Sequence, residues 1–311
     1  MSHSLRCLLC GARDLQALYN LSEFQIRGLW GLAGKAFPRP LFSRKLSTRQ
    51  ISLYSCRACR FRFFDPRLPG SKDFYQALDS RGAYYSDQRV EYPRTVSFAQ
   101  RFNLKRVLDV GCGAGAFLDL ARKGGCITFG TEINAHALRR AKTKGHEIIK
   151  GPVHQWDKRY HSSFDLITLF QVLEHVADPI GFIKELMPFL KPQGFFAIAV
   201  PNRRGVLGLT PWEPANWPPH HISHWSLPDL NTLSEKTNLF LFEKGSDPLV
   251  AFTLNQVLKN QKAQAAFLGK FYFLPDFLIV FISFFYRFTG ARHLPFFHGH
   301  SIYGFFQKPL R

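Results

Sequence analysis

With 311 residues, 46% hydrophobic and 20% charged, the chain can bury a full α/β core beside a smaller module, and its composition excludes a disordered polypeptide. Its 41 Lys+Arg against 22 Asp+Glu favour an anionic partner such as nucleic acid, acidic lipid or a phosphorylated substrate, without choosing among them. The opening MSHSLRCLLCGARD lacks the apolar core and small-residue cleavage site of a signal peptide, so a cytoplasmic protein is expected.

The basic excess is concentrated in residues 1–105, which hold 18 Lys+Arg against 7 Asp+Glu. The same third carries four of the six cysteines, as the two pairs CLLC and CRAC. Each pair sets two thiols three residues apart on a tight turn. Cys7, Cys10, Cys56 and Cys59 are therefore expected to close one tetrahedral structural Zn2+ site. A redox dithiol is the rival, but it gives no reason for two pairs. The 45 residues between the pairs exceed what a compact ribbon needs and predict a loop or helical excursion around Trp30 to Pro40. A linker at PRLPG follows, then one or two helices that cover the next domain. Tyr84, Tyr85 and Tyr92 lie in that stretch, either over a ligand or as half-buried helix surface.

From Arg106 the pattern alternates as α/β proteins do. RVLDVG is a buried strand, AGAFLDLARKGG a helix stopped by glycine, CITFGTEI a second strand and AHALRRAKTKG a second helix. HEIIKG is a short third strand and FDLITLFQVL the fourth, followed by a helix over DPIGFIKELMPFLKPQG and the strand GFFAIAVPN. The fold class predicted is α/β: a Rossmann-like, doubly wound, mostly parallel sheet. SIYGFFQKP supplies an antiparallel last strand at the sheet edge.

In such a sheet, ligands bind at the carboxyl ends of the strands, near the switch point. The loop after the first strand reads D-x-G-x-G-x-G, from Asp109 through Gly111, Gly113 and Gly115. A dinucleotide fingerprint places its last glycine one position later, and a phosphate cradle of the Walker type needs a Lys-Ser/Thr pair that GAGAFL lacks. Glu132, ending the second strand, can accept from both hydroxyls of a ribose. A nucleoside ligand without a pyrophosphate fits best.

VLDVGCGAG, TEIN, FDLITLFQVLEHVADP and GFFAIAVPN, in that order and spacing, resemble the successive motifs of class I S-adenosylmethionine-dependent methyltransferases across residues 106–203. The resemblance implies that Gly111, Gly113 and Gly115 admit the methionine portion of S-adenosyl-L-methionine, that Asp109 orients the loop and that Glu132 holds the ribose. Val153 and His154 fall where the family places adenine contacts, and Gln171 joins the cofactor set. The cysteine pairs and PPHHISHWSLPDL extend the likeness to methyltransferases of sugar, polysaccharide and secondary-metabolite pathways.

Methyl transfer to a hydroxyl gains from a nearby base. His220, His221 and His224, just after the fifth strand, are candidates, with His221 first; each could instead hydrogen-bond backbone in a proline-rich loop. Glu174 and His175 end the fourth strand on the side of the transferred methyl, and His175 is a further catalytic candidate. Some related O-methyltransferases bind a divalent metal through E-x-x-E-H and a later histidine. With Gln171 in the first position one anionic ligand for magnesium is lost, so Glu174 and His175 are read as active-site wall. Trp212, Trp217 and Trp225 either stack on an acceptor ring or pack around the histidine loop.

Residues 271–288 are apolar on nearly every helical face, but Pro275 and Asp276 interrupt them. The uninterrupted run is too short for a span of about 20 residues. It is expected to form a lid over the acceptor or to lie in a membrane interface, giving peripheral contact at the inner face of the membrane. The divisions expected are 1–68, a zinc module; 69–105, linker and covering helices; 106–203, the cofactor-binding core; and 204–311, an acceptor-side cap. The acceptor expected is a small molecule, sugar, glycan or lipid-linked glycan. RNA comes second, because the basic third lacks an RNA-reading motif. A non-catalytic binding protein on the same fold is the rival from another class.

Overall fold

The computed structural model describes residues 5–32, 50–79, 84–85, 88–205, 213–248 and 298–310. The expected lid or membrane helix at 271–288, its peripheral membrane contact and Trp212 lie outside these. Among the described residues, no helix is long and apolar enough to cross a membrane.

The first sheet is built from β1 (Leu15–Ser22), β2 (Gln50–Cys56) and β3 (Arg62–Asp65), all antiparallel. The excursion between the cysteine pairs contains β1, the start of β2 and helix α1 (Glu23–Leu32). Ile26, Leu29 and Trp30 of α1 are buried against Ile51, Leu53 and Phe64 of the sheet, which ties α1 to it; the part of the expected excursion after Leu32 lies outside the described residues. The covering helices are α2 (Lys72–Leu78), capped by the Ser71 hydroxyl on Phe74 N–H, and α3 (Glu91–Arg101).

The second sheet has seven strands. β4 (Arg106–Val110), β5 (Ile127–Thr131), β6 (Glu147–Ile148), β7 (Phe164–Phe170) and β8 (Leu190–Pro201) run parallel. β10 (Phe240–Pro248) and β11 (His298–Gln307) complete it in the order β10-β11-β8-β7-β4-β5-β6. The chain leaves β4 toward β5 and β6 and then returns to β7 on the opposite side. The switch point therefore falls between β4 and β7, where a crevice opens at the carboxyl ends.

Helices α4 (Ala116–Lys123), α5 (Ala135–Thr143) and α6 (Pro179–Leu186) connect the parallel strands. Their starts follow local chemistry. Asn134 accepts from His136 and Ala137 N–H, and Asp178 accepts from Gly181 N–H with Pro179 opening the helix. Helix α7 (Leu227–Thr237) begins with a reciprocal Ser226–Asp229 capping box and stops at Asn238 in the left-handed region.

Three details depart from the expectations. Helix α6 does not run on to Gly194: Pro188 follows its last turn, and Leu190 already pairs with Phe164 as the start of β8. The third parallel strand is only two residues long. The closing strand is not at the sheet edge, because β10 lies outside it; β11 is sandwiched with Ile302 and Phe306 fully buried.

The N-terminal sheet is not separate from the core. Strand β9 (Ser223–His224), just after the histidine turn, pairs with β3 and becomes its fourth strand. One apolar cluster runs from Phe61 and Phe63 through Trp225 to Ile167, Ile198 and Leu233. The boundary expected at residue 68 is thus bridged by both a strand pairing and shared core.

Candidate active site

The crevice is a cavity of about 970 Å³. One half is walled by the loop after β4 and by the end of β5. Gly113 has φ +54°, and a Cβ there would lie 2.5 Å from the Tyr85 ring, so only glycine admits this approach. Gly111 also lines the cavity, whereas Gly115 (φ +82°) sits behind it as the N-cap of α4. Asp109 lies under the loop, buried, and accepts from the Thr168 hydroxyl at 2.6 Å. Burial raises its carboxyl to about 7 despite that bond.

Glu132 lines the cavity and is held by three donors: Asn134 N–H at 2.7 Å, Gly113 N–H at 2.9 Å and the Tyr85 hydroxyl at 3.3 Å. One lone-pair site on Oε2 stays open, and a second opens if Tyr85 withdraws. Val153 lines the cavity, but His154 is exposed and does not. The neighbouring wall is Trp156, whose indole N–H donates to Gly151 O at 2.9 Å. His154 is accordingly withdrawn as an adenine contact. Gln171 lines the cavity with φ +57°, its amide N–H₂ donating to Ser301 Oγ at 3.2 Å.

The other half is a wall of imidazole and phenol. His175 Nδ1 bonds the His220 carbonyl. His220 Nδ1 donates to Ala215 O at 2.8 Å, and its Nε2 accepts from the Tyr84 hydroxyl at 2.7 Å. His221 makes no ring hydrogen bond among the described residues and lies parallel to His220, centroids 4.5 Å apart. Tyr84, Tyr85 and Tyr92 all reach the cavity, as does Tyr75, which sequence reasoning missed.

This turn is strung between two supports. Ile222 N–H donates to Glu174 O at 2.6 Å, and Phe64 N–H of β3 donates to Ile222 O at 2.9 Å. Burial drives the histidines down, His175 to about 3 and His220 to about 4, with His221 also well below its ordinary value. All three are neutral imidazoles at pH 7. Glu174 beside them is 1% exposed, and burial pushes its carboxyl up to about 8.

His224 is not part of this wall. It pairs opposite Arg62 in the first sheet and its Nε2 donates to Asn216 O at 2.7 Å, which removes it from the catalytic candidates. Trp217 and Trp225 are packing residues, their rings 5.0 Å from Phe64 and 4.9 Å from Phe61. Neither offers a face to the crevice.

At the far end of the first sheet the four cysteines converge. Cys7 and Cys59 Sγ are 3.6 Å apart, as are Cys10 and Cys56, and all four sulfurs lie within 4.8 Å of one another. Tetrahedral thiolates around an ion at about 2.3 Å stand about 3.8 Å apart, so the set fits zinc. The short contacts run across the two turns rather than within either, which does not suit a redox pair. The Cys59 contact also drives Cys7 toward the thiolate, to about 5.

A family model described as the methyltransferase domain matches residues 84–243. Among curated relatives, the ubiquinone biosynthesis O-methyltransferase of Histophilus somni is 31% identical over 109 residues, covering 32% of this chain and 46% of that protein. The enzyme of the same name from Saccharophagus degradans is 26% identical over 167 residues, covering 51% and 66%. The chain spans between 45 and 66% of the length of the first such relatives. Among solved structures, a SAM-dependent methyltransferase from Archaeoglobus fulgidus aligns with 76% of this chain and 100% of its own, at 15% identity and TM-score 0.46. The plantazolicin methyltransferase BpumL in complex with SAH aligns with 76% and 88%, at 15% identity and TM-score 0.47.

Proposed function

The chain belongs to the methyltransferase-domain family of S-adenosylmethionine-dependent enzymes, and from that premise we propose that it transfers the sulfonium methyl to a hydroxyl of a small, uncharged acceptor. The observation that carries this is a single cavity joining the Gly111–Glu132 half to the histidine–tyrosine half. Cofactor and acceptor can then meet without crossing solvent.

In this reading Glu132 takes the ribose hydroxyls, Gly111 and Gly113 let the methionine portion approach, and Val153 with Trp156 flank the adenine. Arg89, which lines the cavity, offers a cation to the methionyl carboxylate. The acceptor oxygen attacks the methyl carbon opposite the sulfur. The carbon–sulfur pair returns to sulfur as a neutral thioether, and the hydroxyl proton passes to a base or to water. His221 is the first candidate base, because its ring lone pair is free, whereas both His220 nitrogens are engaged.

The charge of the lining favours a neutral acceptor. Lys72, Arg89 and Lys150 are offset by Glu132, Glu185 and Glu213, with Glu174 held toward its neutral form by burial, so the crevice has no cationic excess for a phosphate backbone. RNA is therefore the second reading. The name of the O-methyltransferase relatives supports oxygen as the methylated atom and a small molecule as acceptor; a sugar or lipid-linked glycan is the narrower proposal within that class. The four cysteines hold a structural zinc in the same proposal, with 1–68 as its module, 69–105 covering the crevice, 106–203 binding cofactor and 204–311 contributing the acceptor side.

The test is transfer of labelled methyl from S-adenosylmethionine into a cell extract. Label in the small-molecule, glycan or lipid fraction is expected. Label that ribonuclease releases would replace this reading with the RNA one, and no label in any fraction would favour a binding protein.

A further inference from the structure

We propose that Tyr84 caps His220, and that seating the cofactor on Glu132 removes the cap through Tyr85, so that His220 Nε2 opens to the acceptor only with the cofactor in place. The proposal rests on the ribose and methionine assignments above.

The two tyrosines are neighbours in the chain, and each is tied to a different half of the crevice. The Tyr85 hydroxyl donates to Glu132 Oε1 at 3.3 Å, on the cofactor side. The Tyr84 hydroxyl meets His220 Nε2 at 2.7 Å, on the acceptor side. The direction of this second bond is fixed. His220 Nδ1 lies 2.8 Å from Ala215 O, and a carbonyl can only accept, so the ring proton is on Nδ1 and Nε2 receives the phenol proton. Burial raises the Tyr84 phenol, which therefore keeps that proton at neutral pH.

Tyr85 stands where the cofactor has to go. Its hydroxyl holds the carboxylate oxygen that a second ribose hydroxyl needs. Its ring covers Gly113 so closely that a Cβ there would lie 2.5 Å from it. The face of Gly113 assigned to the methionine portion is thus the face the ring fills, and both parts of the ligand displace the same side chain. Tyr84 is joined to Tyr85 by one peptide unit and by an edge-to-face ring contact, centroids 4.9 Å apart. The Tyr84 N–H is held only by a long bond of 3.4 Å to Asp79 Oδ1. His220 does not follow. Its ring is anchored on Ala215 O, its N–H donates to Trp217 O at 3.0 Å, and its carbonyl is bonded by His175 Nδ1. The bond between Tyr84 and His220 is the one that gives.

What the release supplies is a neutral imidazole whose tautomer and ring plane are already set by Ala215 O, as a general base requires. The acceptor oxygen bonds the methyl carbon, the carbon–sulfur pair returns to sulfur, and the hydroxyl proton passes to His220 Nε2. Tyr84 and Tyr85 are positioning residues in this scheme. Without cofactor the acceptor meets a capped nitrogen, so binding is ordered with the cofactor first.

Calorimetry of the full chain with S-adenosylhomocysteine tests this without an acceptor. Breaking the Tyr84 bond is part of the cost of binding, so Tyr84→Phe should tighten the ligand by about two- to tenfold, the weight of one neutral hydrogen bond. In parallel, carbethoxylation of His220 by diethylpyrocarbonate, mapped on its peptide, should speed up by a similar factor when the ligand saturates the wild type. In Tyr84→Phe it should be fast with or without ligand. Wild-type affinity in Tyr84→Phe, or a His220 reactivity that the ligand leaves unchanged or lowers, would overturn the proposal. If Tyr84→Phe loses the wild-type thermal transition, the wild-type mapping decides alone. A Glu132→Gln variant that binds the ligand as wild type does would remove the ribose assignment and this proposal with it. Weakened binding by Glu132→Gln beside unmoved affinity in Tyr84→Phe would sink this proposal and leave that assignment standing.

Discussion

Replacing Glu132 with glutamine tests the cofactor half at one residue. The carboxylate offers about four lone-pair sites, of which Asn134 N–H, Gly113 N–H and the Tyr85 hydroxyl occupy three. Binding a ribose therefore adds one new charge-assisted bond at the open Oε2 site and exchanges the long 3.3 Å Tyr85 bond for another. Each hydrogen bond to a charged group contributes about 1.5–3 kcal/mol. Glutamine keeps the shape but turns an N–H₂ toward either Gly113 or Asn134 N–H, donor against donor. The dissociation constant for S-adenosylmethionine, by calorimetry, is expected to rise by about 10- to 150-fold. Tyr85→Phe should act oppositely, tightening binding by about two- to fivefold, because it frees Oε1 at the loss of one weak bond. An affinity within threefold of wild type for Glu132→Gln, with an unchanged thermal transition, would refute the ribose assignment.

The histidine turn hangs on the cysteine-bearing sheet through β3 and β9, so stripping zinc should raise amide hydrogen exchange at residues 220–225 as well as at 57–65; unchanged protection at 220–225 would disconnect the two. His224 is held near 4 in the folded chain by burial, below its ordinary 6.5. Its contribution is present above pH 6.5 and is lost as pH falls through 4, so thermal stability should drop more steeply over that window in wild type than in His224→Gln, by up to about 3 kcal/mol. Equal slopes would contradict this. Phe305 stacks on Phe98 at 3.9 Å and joins α3 to β11, and Phe305→Ala should cost about 3–5 kcal/mol in denaturant unfolding. A loss below about 1 kcal/mol would mean that α3 is not packed as described.

What the sequence made legible is local. The spacing Asp109-x-Gly111-x-Gly113 and a carboxylate closing the next strand need no knowledge of distant residues, and both lie where the switch point demands. The cysteine pairs were legible for the same reason: each turn presents two thiols whatever lies between them. The histidines were not separable in this way. His220, His221 and His224 share one proline-rich loop, and only the pairing of residues 223–224 with Arg62 and Phe63 turns His224 out of the crevice. Trp217 and Trp225 likewise depend on Phe64 and Phe61, over 150 residues away in the chain. Val153 and His154 could not be told apart by type; the short turn over 153–155 buries the first and exposes the second. Tyr75 carries no motif at all and joins the cavity only because Ser71 starts α2 beside it.

The most direct measurement is a crystal structure of the chain with S-adenosylhomocysteine. The ribose hydroxyls are expected on Glu132, the amino-acid portion over Gly111 and Gly113, and the thioether sulfur turned toward His175 and His221. A ligand seated with its ribose away from Glu132, or with its sulfur facing away from the histidine wall, would contradict the division of the crevice into a cofactor half and an acceptor half.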